Sequence, residues 1–454
     1  MNDQSLNGIA GLIYDGIRQL PIVSPHGHCD PQWFADDTRF PDPAALLIQP
    51  DHYVFRMLYS RGVTLEELGI GAAKDPRDVF RTFAAHWHLF LGTPSRRWLE
   101  YSFREVFGLD VPLSVETSDL YFDEIALRLR QDSFRPRALF DRFGIAVLAT
   151  TDGALDDLAA HGKIDAADWG GRIIPTFRPD SIINPHHPHF ADDMTALATL
   201  TGTDCAQFPE YLDAIRQRRA FFKQMGATAT DHGVTDLQTA WLDADTLQDL
   251  LTRALAGELS GLEAARFEGH MLTEMAQMSV EDGLVMQLHV GSRRSTNRAL
   301  FAAHGPDMGA DIPQPVNWVT GLDALLNRVG NNPALELILF TLDETTYARE
   351  LAPMAGHWPA LRLGPPWWFH DSENGIARYL DQVVETAGYW NLAGFNDDTR
   401  AFTSIPARHD LWRRGVAVHL GQQVARGRMG RSDAADMAKL LAHDLALESY
   451  RLGG

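Results

Sequence analysis

Leu20-Pro21-Ile22-Val23-Ser24-Pro25-His26-Gly27-His28 is a short apolar, β-branched run that stops in residues able to hold a metal ion. The same plan recurs along the chain: an apolar run closes on polar residues, and a stretch with helical periodicity follows. The later runs are IAVLATTD (145–152), GRIIPTFRPD (171–180), GATATDHG (226–233), GLVMQLHVG (283–291), LELILFTLD (335–343), LRLGPPWWF (361–369) and YWNLAGFND (389–397). Eight such units predict an α/β fold, a (β/α)8 TIM-type barrel of parallel strands. Its site is expected at the C-terminal strand ends.

The first two runs are separated by far more chain than one crossover helix needs. Segments there such as PRDVFRTFAAHWHLFLG and SRRWLEYSFREVFGL carry apolar residues at helical spacing. The expected organisation is an N-terminal helix and first strand (1–33), a helical insertion on the catalytic face (34–140), the rest of the barrel (141–406) and C-terminal helices (407–454).

With 454 residues and 45% hydrophobic composition, the chain can bury a large core. Its net charge of −20, from 40 Lys+Arg against 60 Asp+Glu, lacks the attraction to phosphate on which nucleic-acid binding depends. An anionic ligand would therefore need positive charge gathered locally, on a metal ion or converging arginines. Cys29 and Cys205 are the only cysteines, so neither a disulfide framework nor a cysteine zinc knuckle is expected. With no apolar stretch of signal or membrane-spanning length, the expectation is a soluble cytoplasmic protein with no membrane partner.

His26 and His28 are two apart. If they lie on a strand, both point to one side and can chelate one cation. His86-Trp87-His88 has the same spacing but falls in a helical segment, where such residues diverge. His187-Pro188-His189 sits in a loop with no strand to align it. What distinguishes the first pair is the run Gly394-Phe395-Asn396-Asp397-Asp398-Thr399-Arg400. Strands one and eight are neighbours in a closed barrel, so an Asp here can complete a His, His, Asp site with open positions. Either Asp could instead cap a helix.

Several motifs in order, Pro25-His26-Gly27-His28, Asp51-His52-Tyr53, Arg178-Pro179-Asp180, Asp231-His232-Gly233, Gln287-Leu288-His289, Trp367-Trp368-Phe369 and Asp398-Thr399-Arg400, resemble the uronate isomerase (glucuronate isomerase) family of the amidohydrolase superfamily. The resemblance implies that His26, His28 and Asp398 bind one divalent metal, most readily Zn2+. It implies catalytic positions at Asp398, Tyr53 and His28. It also implies a substrate pocket with Arg400, Arg178, Asp231, His289, Arg294, Trp367 and His52, and Trp368 nearby. The implied substrate is a small hexuronate, and the implied reaction interconverts D-glucuronate with D-fructuronate, or D-galacturonate with D-tagaturonate, through an enediol. The bridging lysine of two-metal superfamily members is missing from GATATDHG, which favours a single metal.

Simpler roles compete at each position. Arg178 can pair with a structural Asp, Asp231 can cap a helix, His289 can be a core histidine, and Tyr53 can be an ordinary aromatic of the insertion. Of Trp367 and Trp368, consecutive on a strand, one at most is expected to line the pocket. The alternative activity is a metal-dependent lactonase or deaminase, and a binding-only barrel is a further alternative. A homo-oligomer is the expected assembly.

Overall fold

The computed structural model describes residue 6 and residues 8–453. Seven parallel strands follow the sequence runs: β1 (Ile22–Ser24), β2 (Ile145–Ala149), β3 (Ile173–Ile174), β4 (Ala229–Val234), β5 (Val285–Val290), β6 (Leu337–Thr341) and β7 (Leu361–Leu363). β1 pairs with β2 and β2 with β3. Asp152–Gly153 and Phe177–Arg178 extend β2 and β3 and pair in turn, and Phe177 joins Thr230 of β4. β4 pairs with β5, β5 with β6 and β6 with β7, all in parallel. Each strand therefore lies beside its successor, as a (β/α)8 barrel requires.

The eighth run is not a regular strand. Tyr389–Asn391 form a 3-10 turn, and the extended backbone beyond touches β7 through one bridge, Leu363 to Leu392. It closes the barrel on the β1 side through the His28 N–H, which donates to Thr399 O at 3.0 Å. Gly394, at φ +79, explains the tight path: a Cβ there would lie 2.6 Å from Ala446 N.

Alternation along the strands sorts the core. Val285 of β5, with Ile338 and Phe340 of β6, fills the barrel interior, whereas Met286, Leu288, Leu337 and Leu339 face the surrounding helices. Gln287 and His289 share the inward parity of Val285, which brings His289 to the open end. Such strands are apolar on both faces because helices cover the outside. Tyr450 and Leu452 pack against the interior cluster from the C-terminal segment.

Helices occupy most of the sequence from Pro31–Asp36 to Pro136–Arg142 and enclose a separate core that includes Phe34, Phe80, Phe83 and Phe107. A later helix, Ile405–Ala425, begins two residues ahead of the 406/407 boundary read from the sequence; Pro406 stands in its first turn, where no amide donor is needed. Among the described residues, no helix is long and apolar enough to cross a membrane.

Candidate active site

Strand β1 ends at Ser24, so His26 and His28 lie beyond it and their approach is not the strand alternation expected from their spacing. Their rings stand at 84°, yet both point at one oxygen. Asp398 Oδ1 lies 3.3 Å from His26 Nε2 and 3.0 Å from His28 Nε2. Neither Asp397 nor Asp398 caps a helix. Asp398 adopts φ +41, and Asp397 turns away to His409, with Oδ2 3.1 Å from Nε2. That left-handed step sends consecutive carboxylates in different directions.

The other carboxylate oxygen of Asp398 accepts from Trp367 Nε1. Burial opposes charge on Asp398, but the imidazoles of His26 and His28 overcome it and hold the carboxyl well below the usual range. His26 also stacks on His289 at 4.7 Å between ring centres, and His289 stacks on Phe340 at 4.1 Å. His289 Nδ1 shares a 2.6 Å hydrogen bond with Asp231 Oδ1. Arg178 reaches the far oxygen of Asp231 at 3.2 Å and Asp180 at 2.8 Å. Burial alone would keep Asp231 neutral; His289 and Arg178 hold it ionised, well below the ordinary carboxylate range.

Tyr53 and His52 come from the insertion. Asp51 is the N-cap of helix His52–Tyr59, its Oδ1 accepting from Tyr53 N at 2.8 Å. Such a cap contributes about 1 kcal/mol and fixes where the first turn points. Tyr53 packs edge-on against Trp98 at 5.5 Å, and burial raises its phenol well above the ordinary value. Burial likewise lowers His52 to about 3, which keeps that ring neutral.

These groups line a cavity of about 880 Å³ that contains His28, His52, Tyr53, Arg178, Arg294, Trp367, Asp398 and Arg400. Trp368 lines it as well, against the expectation that one tryptophan at most would do so. Strand β7 stops at Leu363, and Trp368 opens a 3-10 turn at φ +53, so strand alternation no longer applies. His26, Asp231 and His289 lie just beneath. Three arginines thus meet the demand for local positive charge. Arg178 is occupied by two carboxylates, whereas Arg400 pairs with Asp307 at 3.0 Å and Arg294 with Asp311 at 2.8 Å.

Among the described residues, two groups of side chains are placed to hold a cation, His26–His28–Asp398 and His26–Asp231–His289. The first fits better. Asp398 Oδ1 is buried and makes no hydrogen bond although two ring nitrogens point at it, while Asp231 Oδ1 and His289 Nδ1 are bonded to each other and only His289 Nε2 is left without a partner. Two imidazoles and a carboxylate are a donor set suited to a divalent ion.

The sequence profile described as glucuronate isomerase matches residues 5–450. The chain belongs to this family. A uronate isomerase of Sphingopyxis alaskensis is 53% identical over 99% of the chain and 97% of its own length. Among solved structures, glucuronate isomerase from Caulobacter crescentus superposes with TM-score 0.98 at 47% identity, covering 100% of this chain and 96% of that one. A uronate isomerase from Thermotoga maritima gives TM-score 0.95 at 26% identity, covering 99% and 100%. The isomerase reading stands for this family member, and the hydrolase alternative is not favoured.

One participant escaped sequence reasoning. Arg408, buried on helix Ile405–Ala425, donates to Asp371 Oδ2 at 2.9 Å and to the Asp397 carbonyl at 3.1 Å. Its guanidinium lies 3.6 Å from the Trp98 ring centre and 5.4 Å from that of Tyr53. It thereby ties the insertion to the segment that presents Asp398. In sequence it is one arginine on a helix of mixed polarity, with no motif around it.

Proposed function

We propose that the protein converts the acyclic form of D-glucuronate to D-fructuronate, and that of D-galacturonate to D-tagaturonate, with Asp398 as the proton carrier. The observation that supports this most is the convergence of His26, His28 and Trp367 on Asp398 beside a cavity that also holds three arginines.

The reaction breaks C2–H, forms C1–H and passes the O2 proton to O1. Asp398, ionised through its histidine neighbours, takes the proton from C2 and returns it to C1 of the enediol. The Tyr53 hydroxyl, kept protonated by burial, donates to the carbonyl oxygen as charge develops there. Arg294 and Arg400, each with one carboxylate partner, grip the uronate carboxylate with their planar forks. Asp231 and His289, beneath the cavity, hold Arg178 and the His26 ring in place, and the Trp367 face shields the reacting carbons from water. His26, His28 and Asp398 would hold a divalent ion, zinc by their donor set, which when bound would supply Lewis-acid charge to the reaction.

Product analysis of either uronate with purified protein tests this. A ketose of unchanged mass is expected, and Asp398→Asn, with metal content measured in the same sample, should lower turnover by about 10²- to 10⁴-fold. A product that has gained water would return the hydrolase reading. Full turnover by metal-loaded Asp398→Asn would remove Asp398 as carrier.

A further inference from the structure

The cavity is larger than one hexuronate, and its outer half is lined by residues for which the isomerisation has no use. Cavities of about 300–1,000 Å³ hold drug-sized ligands, and a hexuronate has roughly half the non-hydrogen atoms of such a ligand. At about 880 Å³ the cavity has space for a second sugar. Its two ends differ in exposure. Side-chain exposure is 14% at Asp398 and 24% at His28, then 37% at His187, and Phe301 is 48% exposed. Chemistry is concentrated at the deep end, and the mouth remains open.

We infer that the mouth is a subsite for a second sugar ring, and that the protein also isomerises the reducing-end hexuronate of an O4-linked disaccharide. The inference rests on the isomerase reading of the deep end. That reading directs C1 and C2 towards Asp398 and Tyr53, so the C4 to C6 half of the substrate faces outward. A glycosyl group on O4 then projects towards the mouth, whereas one on O1 would prevent the ring from opening. The mouth has the two surfaces a sugar ring needs. Phe301, 48% exposed on helix Arg298–His304, gives an aromatic face for the apolar C–H side of the ring. Loop 184–189 gives polar edges through His186, His187 and His189. The loop is pinned: Asn184 Oδ1 accepts from His186 N at 2.8 Å, and the His186 ring lies 3.3 Å from Gly261 O. This assigns a use to the histidine-rich loop that no catalytic step requires.

The reaction on the disaccharide has the same balance: C2–H breaks, C1–H forms, and the glycosidic bond is untouched. The test follows digalacturonate and galacturonate by NMR with the purified protein. The disaccharide should yield a ketose at its reducing end, with no free monosaccharide, at kcat/KM within about tenfold of the monosaccharide. Phe301→Ala and the His186→Ala/His189→Ala pair should lower disaccharide kcat/KM by at least about tenfold and leave galacturonate turnover unchanged. If galacturonate is isomerised while digalacturonate neither reacts nor competes, the subsite is refuted and the isomerase reading stands. Equal losses on both substrates in the rim variants also refute it. If galacturonate and glucuronate both fail to react, the isomerase reading falls, and the subsite with it.

Discussion

His26-Gly27-His28 and His86-Trp87-His88 share a spacing, and the fold treats them oppositely. Beyond β1 the chain bends at His26, at the barrel's open end, and both imidazoles turn onto Asp398, which comes from the far end of the sequence. In the insertion, Trp87 buries itself in the helical core, His86 Nδ1 bonds Thr82 O at 2.8 Å, and His88 is left exposed. Among the described residues, His86 and His88 belong to no group placed to hold a metal. Spacing alone thus carries little chemistry. What matters is the third residue that the fold brings to the pair.

The largest effect expected from this contrast is on metal. His26→Ala should lower bound metal to below about a tenth of the wild-type content and cut turnover at least about 10³-fold, whereas His86→Ala/His88→Ala should leave both unchanged. Elemental analysis alongside activity decides it, and metal loss from the second variant would erase the distinction. Within the insertion, Tyr53 should behave as part of the barrel's chemistry and not as core. Tyr53→Phe is expected to lower kcat about 10²-fold with little change in melting temperature. A drop in stability with kcat intact would return it to packing.

Arg408 links the two regions, and its expected effect is on stability. Both it and Asp371 are almost fully buried, and removing one partner of such a pair costs about 3–5 kcal/mol. Arg408→Met should therefore unfold at clearly lower denaturant, with Asp371→Asn/Arg408→Met recovering part of the loss. Equal stability of Arg408→Met and wild type would mean that Arg408 does not hold the insertion to the barrel.

The smallest effect separates two half-buried carboxylates. Asp398 is held low by its histidines, but Glu268 is raised to about 8, first by burial and then by the charges of Asp180 and Asp236. A carboxyl whose folded pKa exceeds its unfolded value binds more protons in the folded state. Glu268 therefore costs stability progressively as pH rises from about 4 towards 8. Glu268→Gln, neutral throughout, lacks that loss. Its melting temperature should exceed that of wild type by a few degrees at about pH 9, with a smaller difference at about pH 5. A difference independent of pH would contradict the shift.

The barrel was legible in the sequence because β5 and β6 are buried on both faces and read as largely apolar runs, whereas β4, ATDHGV, is buried but polar and was placed by its position between helical stretches. β3 and the eighth run were harder: two residues of strand and a single bridge leave no periodicity to detect, and only order around the barrel identifies them. The site motifs were visible where residues sit at strand ends. The pairing of Asp398 with both histidines is a tertiary event set by φ +41 at that residue. The two tryptophans were misjudged for a related reason, since the strand stops before them. Arg408 was hidden because its partners come from three distant segments.

The central claim is that the convergence on Asp398 belongs to a hexuronate isomerase. It is tested most directly by incubating wild-type protein with D-glucuronate in deuterated water and observing the product by proton NMR. D-fructuronate is the expected product, with any deuterium taken from solvent appearing at C1. Absence of ketose from both glucuronate and galacturonate, with zinc bound, would contradict it.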